Sequence, residues 1–332
     1  MPAEWEPQRQ VQLTWPHEHT DWAPILPEIT AVYDVMAREI SKREDLLIVA
    51  PEDLVSHLSP LTTHLSPLLS NDTWARDHGF ITVEETDQSL PSHPSPLTSK
   101  VLLDFCFNGW GEKFEARLDN AINKHLYEQG LVSGSYEDHL DFVLEGGSIE
   151  SDGKGTIFTT ECCLLAPHRN QPLTKAEIEE RLKRWLGAER IVWLQHGSLI
   201  GDDTDGHIDT LVRICPDETL LYTGGDDDHP DLDEMEKELQ ALRTLDGKPY
   251  RLLRLPLPHP IYDGDDRLPA TYANYLVING AVLVPTYRQP DLDAEAMRII
   301  QQAFPDREIV GIDCCAVIRQ HGSLHCCTMQ YY

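Results

Sequence analysis

Five short runs of β-branched and apolar residues recur along the chain, four of them opening on a glycine. They are Gly79-Phe-Ile-Thr-Val83, Gly155-Thr-Ile-Phe-Thr159, Thr219-Leu-Leu-Tyr-Thr223, Gly280-Ala-Val-Leu-Val284 and Gly322-Ser-Leu-His-Cys326. Each is bounded by turn formers, which is how strands are written. After three of them the pattern switches to a helical period and back. The capping box Thr174-Lys-Ala-Glu177 opens a helix to about Leu186, ahead of a strand over 191–194. In the same way, helices from 231 to about 245 and over 293–304 precede extended segments over 251–255 and 309–312. The uneven intervals exclude a solenoid. One α/β domain over residues 1–332 is expected, assembled from about five divergent units around a centre. Three stretches read as surface loops: 57–68, with His-Leu-Ser-Pro-Leu starting at His57 and again at His64, then Pro91-Ser-His-Pro-Ser-Pro96 and Gly225-Asp-Asp-Asp-His-Pro230. None shows the composition shift of a domain linker.

Charge narrows the function. Lys and Arg number 27 against 56 Asp and Glu, a net charge of −29 with histidine neutral. Nucleic acid and anionic membranes need a basic face, so neither is an expected partner. No apolar run has membrane-spanning length, and Met1-Pro-Ala-Glu-Trp-Glu-Pro7 lacks the features of a secretory signal. Of the eight cysteines, six form adjacent pairs: Cys162-Cys163, Cys314-Cys315 and Cys326-Cys327. Neighbours make poor disulfides and none has zinc-site spacing, so a reducing cytoplasm is the expected location.

The densest polar cluster is Gly201-Asp-Asp-Thr-Asp-Gly-His-Ile-Asp209. A calcium loop fails, because Gly201 and Val212 would stand where carboxylates are needed. His207 and Asp209, two apart, would face one side of a strand and serve an acid–base or metal site. Cys326 is a candidate nucleophile, since thiolates are strongly nucleophilic. Strand alternation would put His325 and Cys327 on one face and Cys326 on the other. Asn71-Asp-Thr-Trp-Ala-Arg-Asp-His-Gly79 joins Trp74 and Asp77 just before a strand, and Asp141-Phe-Val-Leu-Glu-Gly-Gly-Ser148 ends an apolar run on Glu145. One cysteine, one histidine, carboxylates and a tryptophan suit attack on a planar cation.

These segments, with Met1–Pro7, Thr14-Trp-Pro16 and Phe107-Asn-Gly-Trp-Gly111 in the same order, resemble the agmatine deiminase / bacterial-type peptidylarginine deiminase family of the guanidino-group-modifying (pentein) superfamily. The resemblance implies a five-bladed α/β propeller built from pseudo-repeats. It makes Cys326 the nucleophile, His207 the general acid/base, and Glu145, Asp77 and Asp209 the carboxylates around a guanidinium, with no metal and no cofactor. The implied chemistry is attack by Cys326, loss of ammonia, and hydrolysis of an amidino-cysteine intermediate. The chain departs from many relatives at His321, where they carry glycines and an asparagine before the His-Cys pair, and at Phe105, where they carry tryptophan.

Free arginine would need a base for its α-carboxylate, and the motifs offer only Arg76. An ammonium tail would instead want an acid or an aromatic face, for which Asp203 and Trp74 are the candidates. Agmatine deiminase, giving N-carbamoylputrescine and ammonia for putrescine biosynthesis, is therefore the expected activity on a small cationic guanidino substrate. Alternatives are another guanidino or peptidyl-arginine deiminase, a binding-only relative, and a metal hydrolase using the Asp202–Asp209 cluster. Homo-oligomerisation stays open at this stage.

Overall fold

The computed structural model describes residues 1–87 and 97–332. The Pro91–Pro96 loop therefore lies outside the described residues. Among those residues, one arrangement recurs five times: a first strand, an antiparallel partner, a helix, and a third strand parallel to the second. A parallel pair needs a crossover, and each helical stretch of the sequence supplies one. In the first unit Gln10–Thr14 leads through the Leu26–Ser41 helix to Asp45–Ala50, with His64–Pro67 added at the edge. In the second, Ile81–Asp87, Leu97–Cys106 and Ser135–Val143 are joined through the Ile122–Glu128 helix. The third is Glu150–Ser151, Thr156–Thr160 and Arg190–Leu194, with the helix Lys175–Leu186. The fourth is Val212–Cys215, Thr219–Thr223 and Arg251–Leu255, with Pro230–Ala241. Leu276–Ile278, Ala281–Thr286 and Glu308–Asp313, with Pro290–Ala303, form the fifth. The first unit takes its short strand from the far end of the chain: Thr328–Tyr331 pairs antiparallel with Gln10–Thr14.

The expected helices and the strands over 191–194, 251–255 and 309–312 are present, and the Thr174 capping box is formed. Three differences stand out. Residues 57–68 are not one loop: His57 sits in the Val55–Leu58 helix and the second copy of the repeat is the edge strand His64–Pro67. Gly322–Cys326 is not a strand but a turn that ends where Thr328–Tyr331 begins. His207 and Asp209 do not share a strand face either; His207 caps a single 3-10 turn, Ile208–Thr210, that contains Asp209.

Candidate active site

The segment just ahead of each unit's first strand carries one or more side chains of the candidate site. The second unit is preceded by Trp74 and Asp77, the third by Glu145, the fourth by His207 and Asp209, the fifth by Asn274, and the first, through its chain-terminal strand, by Cys326. These segments are turns and single helical turns, so their side chains need not alternate as strand residues would. Gly147 marks their meeting point. A Cβ there would lie 2.6 Å from His207 Nδ1, 2.9 Å from Asp77 Oδ1 and 3.1 Å from Asp209 Oδ2. The glycine is required by space, and its own N–H donates to Asp77 Oδ1 at 3.0 Å.

A cleft of about 230 Å³ opens onto this cluster. Cys326, Asp77 and Thr210 line its depth, and Trp74, Trp110 and Phe114 line its walls. Asp21, Asp72, Asp202 and Asp203 add four more carboxylates, facing Arg319 and His321. Trp74 and Asp203 thus both line this cleft. Arg76 does not: its guanidinium is buried against the His325 carbonyl and the Gln330 side chain. Arg319 is the base on the cleft instead, and it is paired with Asp263 at 2.8 Å. His321 holds a left-handed backbone (φ 67°) and donates from Nδ1 to the Gly201 carbonyl at 2.6 Å.

Burial and charge set the protonation states. Cys326 is 5% exposed, and burial followed by Asp209 and Asp77 pushes its thiol well above the ordinary value. Burial opposes a charge on His207, yet Asp77, the Cys163 thiol and Glu145 outweigh it and hold the imidazole well above its usual range. Both shifts favour a neutral thiol beside a protonated imidazole. Asp77 is raised to about 6 by burial, although Trp110 Nε1 donates to it at 3.0 Å. Asp209 is held low against its own burial by His325, whose Nδ1 lies 2.7 Å away. His325 reaches Glu4 with its other nitrogen at 2.9 Å, and Glu4 in turn meets Arg213. Both ring nitrogens of His207 and Asp209 Oδ1 are buried with no hydrogen-bond partner among the described residues.

Glu145 lies behind His207 rather than on the cleft wall. Arg169 grips it from Nε at 3.0 and 3.3 Å, and reaches Asp205 at 2.7 Å and the Thr204 carbonyl at 2.8 Å. The acidic 202–209 stretch does not converge. Asp202 accepts from Thr204 and Gly206 within its own turn, Asp205 pairs with Arg169 and Lys113, and only Asp209 reaches the cluster. That divergence removes the basis for a metal hydrolase there. Two other groups of metal-ligand type exist, Glu145 with Cys163 and His207, and Glu4 with Glu150 and His325. In each, a guanidinium already neutralises the carboxylates, Arg169 in the first and Arg213 in the second.

A family model described as Porphyromonas-type peptidyl-arginine deiminase matches residues 1–331. The chain belongs to this family. Agmatine deiminase of Pseudomonas aeruginosa (strain LESB58) is 33% identical over 362 aligned positions, covering 99% of this chain and 94% of that one. A solved C. jejuni agmatine deiminase, a cysteine-to-serine variant with substrate bound, superposes with a TM-score of 0.89 at 36% identity, covering 99% of this chain and 95% of the other. A Porphyromonas gingivalis structure provisionally assigned as an arginine deiminase gives 0.89 at 47% identity, over 99% and 97%. A dimethylarginine dimethylaminohydrolase shares the mixed α/β fold at 11% identity, with a TM-score of 0.54 over 98% of this chain and 100% of that one.

In this peptidyl-arginine deiminase family member, sequence reasoning assigns no role to Trp110, which lines the cleft, or to Arg169 and Asn274, which contact Glu145 and Cys326 from behind it. Trp110 stood inside a recognised motif, and its indole N–H would have suggested a carboxylate partner. Arg169 and Asn274 gave no signal: an arginine in a polar loop and an asparagine before an apolar strand are common everywhere. Among the described residues no helix is long and apolar enough to cross a membrane.

Proposed function

We propose that this protein hydrolyses agmatine to N-carbamoylputrescine and ammonia, with Cys326, His207, Asp77, Asp209 and Glu145 carrying the reaction. The observation that carries the reading is a buried thiol at the foot of a cleft lined by aspartates and tryptophans. A guanidinium is planar with N–H forks, so Asp77 and Asp209 grip it from two sides and hold its carbon over Cys326. Its N–H groups also partner Asp209 Oδ1, which is otherwise unsatisfied. The incoming cation offsets the two carboxylates that raise the thiol, and the thiol proton leaves to water. The thiolate then attacks, forming a C–S bond. His207, already protonated, gives its proton to the departing nitrogen, and the C–N bond breaks to release ammonia. Neutral His207 takes a proton from water, hydroxide adds to the amidino carbon, and collapse of that adduct breaks the C–S bond. Glu145, clamped by Arg169, acts through His207 by favouring the imidazolium.

The cleft chemistry favours an ammonium tail over an α-carboxylate, which would face Asp21, Asp72, Asp202 and Asp203 while Arg319 is already paired. Trp74 supplies an aromatic face for the same cation. We further read the sheets of the five units as blades of a five-bladed propeller around this cleft, supported by the union of the two chain ends in one sheet and the delivery of a site residue ahead of every unit. A reducing cytoplasm suits the eight unpaired cysteines. The test is ammonia release from agmatine, free arginine and a blocked peptidyl-arginine at equal concentration under reductant. Preference for agmatine, lost in Asp203→Asn, is expected. Preference for the peptide keeps the chemistry and discards the substrate, and no release from any of the three sinks the enzyme reading.

A further inference from the structure

Four of the five units deliver a chemical group to the cluster in plain view; the fifth delivers Asn274, a neutral side chain buried to 1% exposure. It stands two residues before Leu276–Ile278, as Cys326 stands two residues before Thr328–Tyr331. The two side chains meet. Asn274 Nδ2 lies 3.2 Å from Cys326 Sγ, and Asn274 Oδ1 lies 3.4 Å from the same sulfur. The amide cannot be turned round without loss. Its Oδ1 accepts the backbone N–H of His325 at 3.1 Å and that of Cys326 at 3.3 Å, and a flipped amide would set its own N–H₂ against both donors.

We propose that Asn274 is a catalytic residue: its Nδ2–H hydrogen-bonds the Cys326 sulfur and stabilises the thiolate, both when it attacks and when it departs. This rests on Cys326 being the nucleophile. The carboxylates near the sulfur oppose an anion, since Asp209 Oδ2 lies 3.7 Å away and Asp77 lines the same cleft, and apart from Asn274 only the Ser323 backbone, among the described residues, favours one. The side chain serves both protonation states. A thiol S–H donates to Oδ1, a thiolate accepts from Nδ2–H, and no proton is exchanged with the amide in either case. Hydrogen bonds to an ionised partner are the strong ones, and this one is made in a water-poor site.

The experiment follows the rate of Cys326 alkylation by iodoacetamide across pH, in substrate-free, full-length protein. The Cys326 peptide is quantified by mass so that the other thiols do not interfere. Asn274→Ala removes the donor without adding charge, and Asn274→Leu keeps much of the side-chain shape, so one carries the test if the other does not fold. The midpoint of the profile is expected to rise by about one pH unit, with kcat/KM for agmatine falling ~10- to 100-fold, the scale of a lost hydrogen bond to a charged group. A merely structural role would lower turnover without moving the alkylation midpoint. A folded variant that titrates like the parent overturns the proposal. Cys326→Ser separates the two layers: if it still releases ammonia the nucleophile assignment falls, whereas an inert Cys326→Ser beside unshifted Asn274 variants removes Asn274 alone.

Discussion

A methyl group on Gly147 would crowd His207, Asp77 and Asp209 at once, at 2.6 to 3.1 Å. Gly147→Ala is therefore expected to cut kcat/KM by ~100-fold or more, since a shift of about 1 Å in a reacting group costs that much. Thermal melting of the variant should show that the fold survives; parental activity would mean that the three groups do not act together. The paired cysteines are a second case. Cys326 faces Asp209 and Asn274, whereas Cys327 is buried beside Tyr33, and burial raises its thiol to about 12. Cys326→Ser should abolish turnover and Cys327→Ser should keep most of it, judged by ammonia release at saturating agmatine. Equal loss from both would undercut the choice of Cys326. Their opposed directions were anticipated, but for the wrong reason: the segment turns rather than alternating, and so His325 meets Asp209 while Cys327 does not. Residues whose chemistry is written in their type, such as Cys326, His207 and Asp77, are legible in the sequence as candidates, and the fold brings them together. Asn274 is not, because its meaning lies in a contact to a cysteine 52 residues away.

At the scale of elements, legibility followed burial and length. The middle strands of three units, Thr156–Thr160, Thr219–Thr223 and Ala281–Thr286, are nearly or fully buried apolar runs, and their sequences announce them. Four of the five first strands have only two to four residues, too brief to show a period, whereas Ile81–Asp87 has seven. The sequence repeat falls out of phase with the units at both ends of the chain: Gly79–Val83 runs into a first strand rather than a middle one, and Gly322 opens a turn. The helix Lys175–Leu186 was the clearest element, because its start is chemically specified. Thr174 Oγ1 accepts from the Glu177 N–H at 3.3 Å, and the Glu177 carboxylate accepts from the Thr174 N–H at 2.7 Å. The helix packs through Ile178, Leu182 and Leu186, away from the cleft. Thr174→Ala should cost about 1 kcal/mol, lowering the melting temperature by roughly 1–2 °C with agmatine turnover unchanged. A fall in activity at a temperature where the variant is fully folded would mean that the helix start is coupled to the site.

For the molecule as a whole, pH pulls stability and activity in opposite directions. Burial raises Glu44 to about 7 and Asp119 to about 8, and His207 is held above its ordinary range by its acidic neighbours. In the unfolded chain the two carboxyls titrate near 4 and the imidazole near 6.5. Between pH 6.5 and 8 the native state thus holds protons that the unfolded state has released, so stability falls as pH rises. His78 works the other way: burial lowers it to about 3, its contribution grows with pH, and it is complete by about 6.5. Repulsion within a net charge of −29 adds to the alkaline loss and is screened by salt, whereas the buried groups are screened far less. The urea midpoint should therefore drop between pH 6.5 and 8 even in ~0.5 M salt, and Glu44→Gln should flatten that slope; a midpoint that climbs over this interval would refute the linkage. Meanwhile the proposed reaction needs Asp77 ionised to hold a guanidinium, and burial raises its carboxyl to about 6. The kcat/KM for agmatine should rise through that pH, over a range that runs into the one where the fold loses stability. Asp119 ties the two together, because its carboxyl accepts the backbone N–H groups of Asn71 and Asp72 that lead into Trp74 and Asp77. Alkaline pH ionises this buried carboxyl beside the raised Asp72, so the segment that carries the binding carboxylate is expected to be the first part of the site to loosen, read as amide exchange over residues 71–77 that quickens above pH 8 ahead of global unfolding.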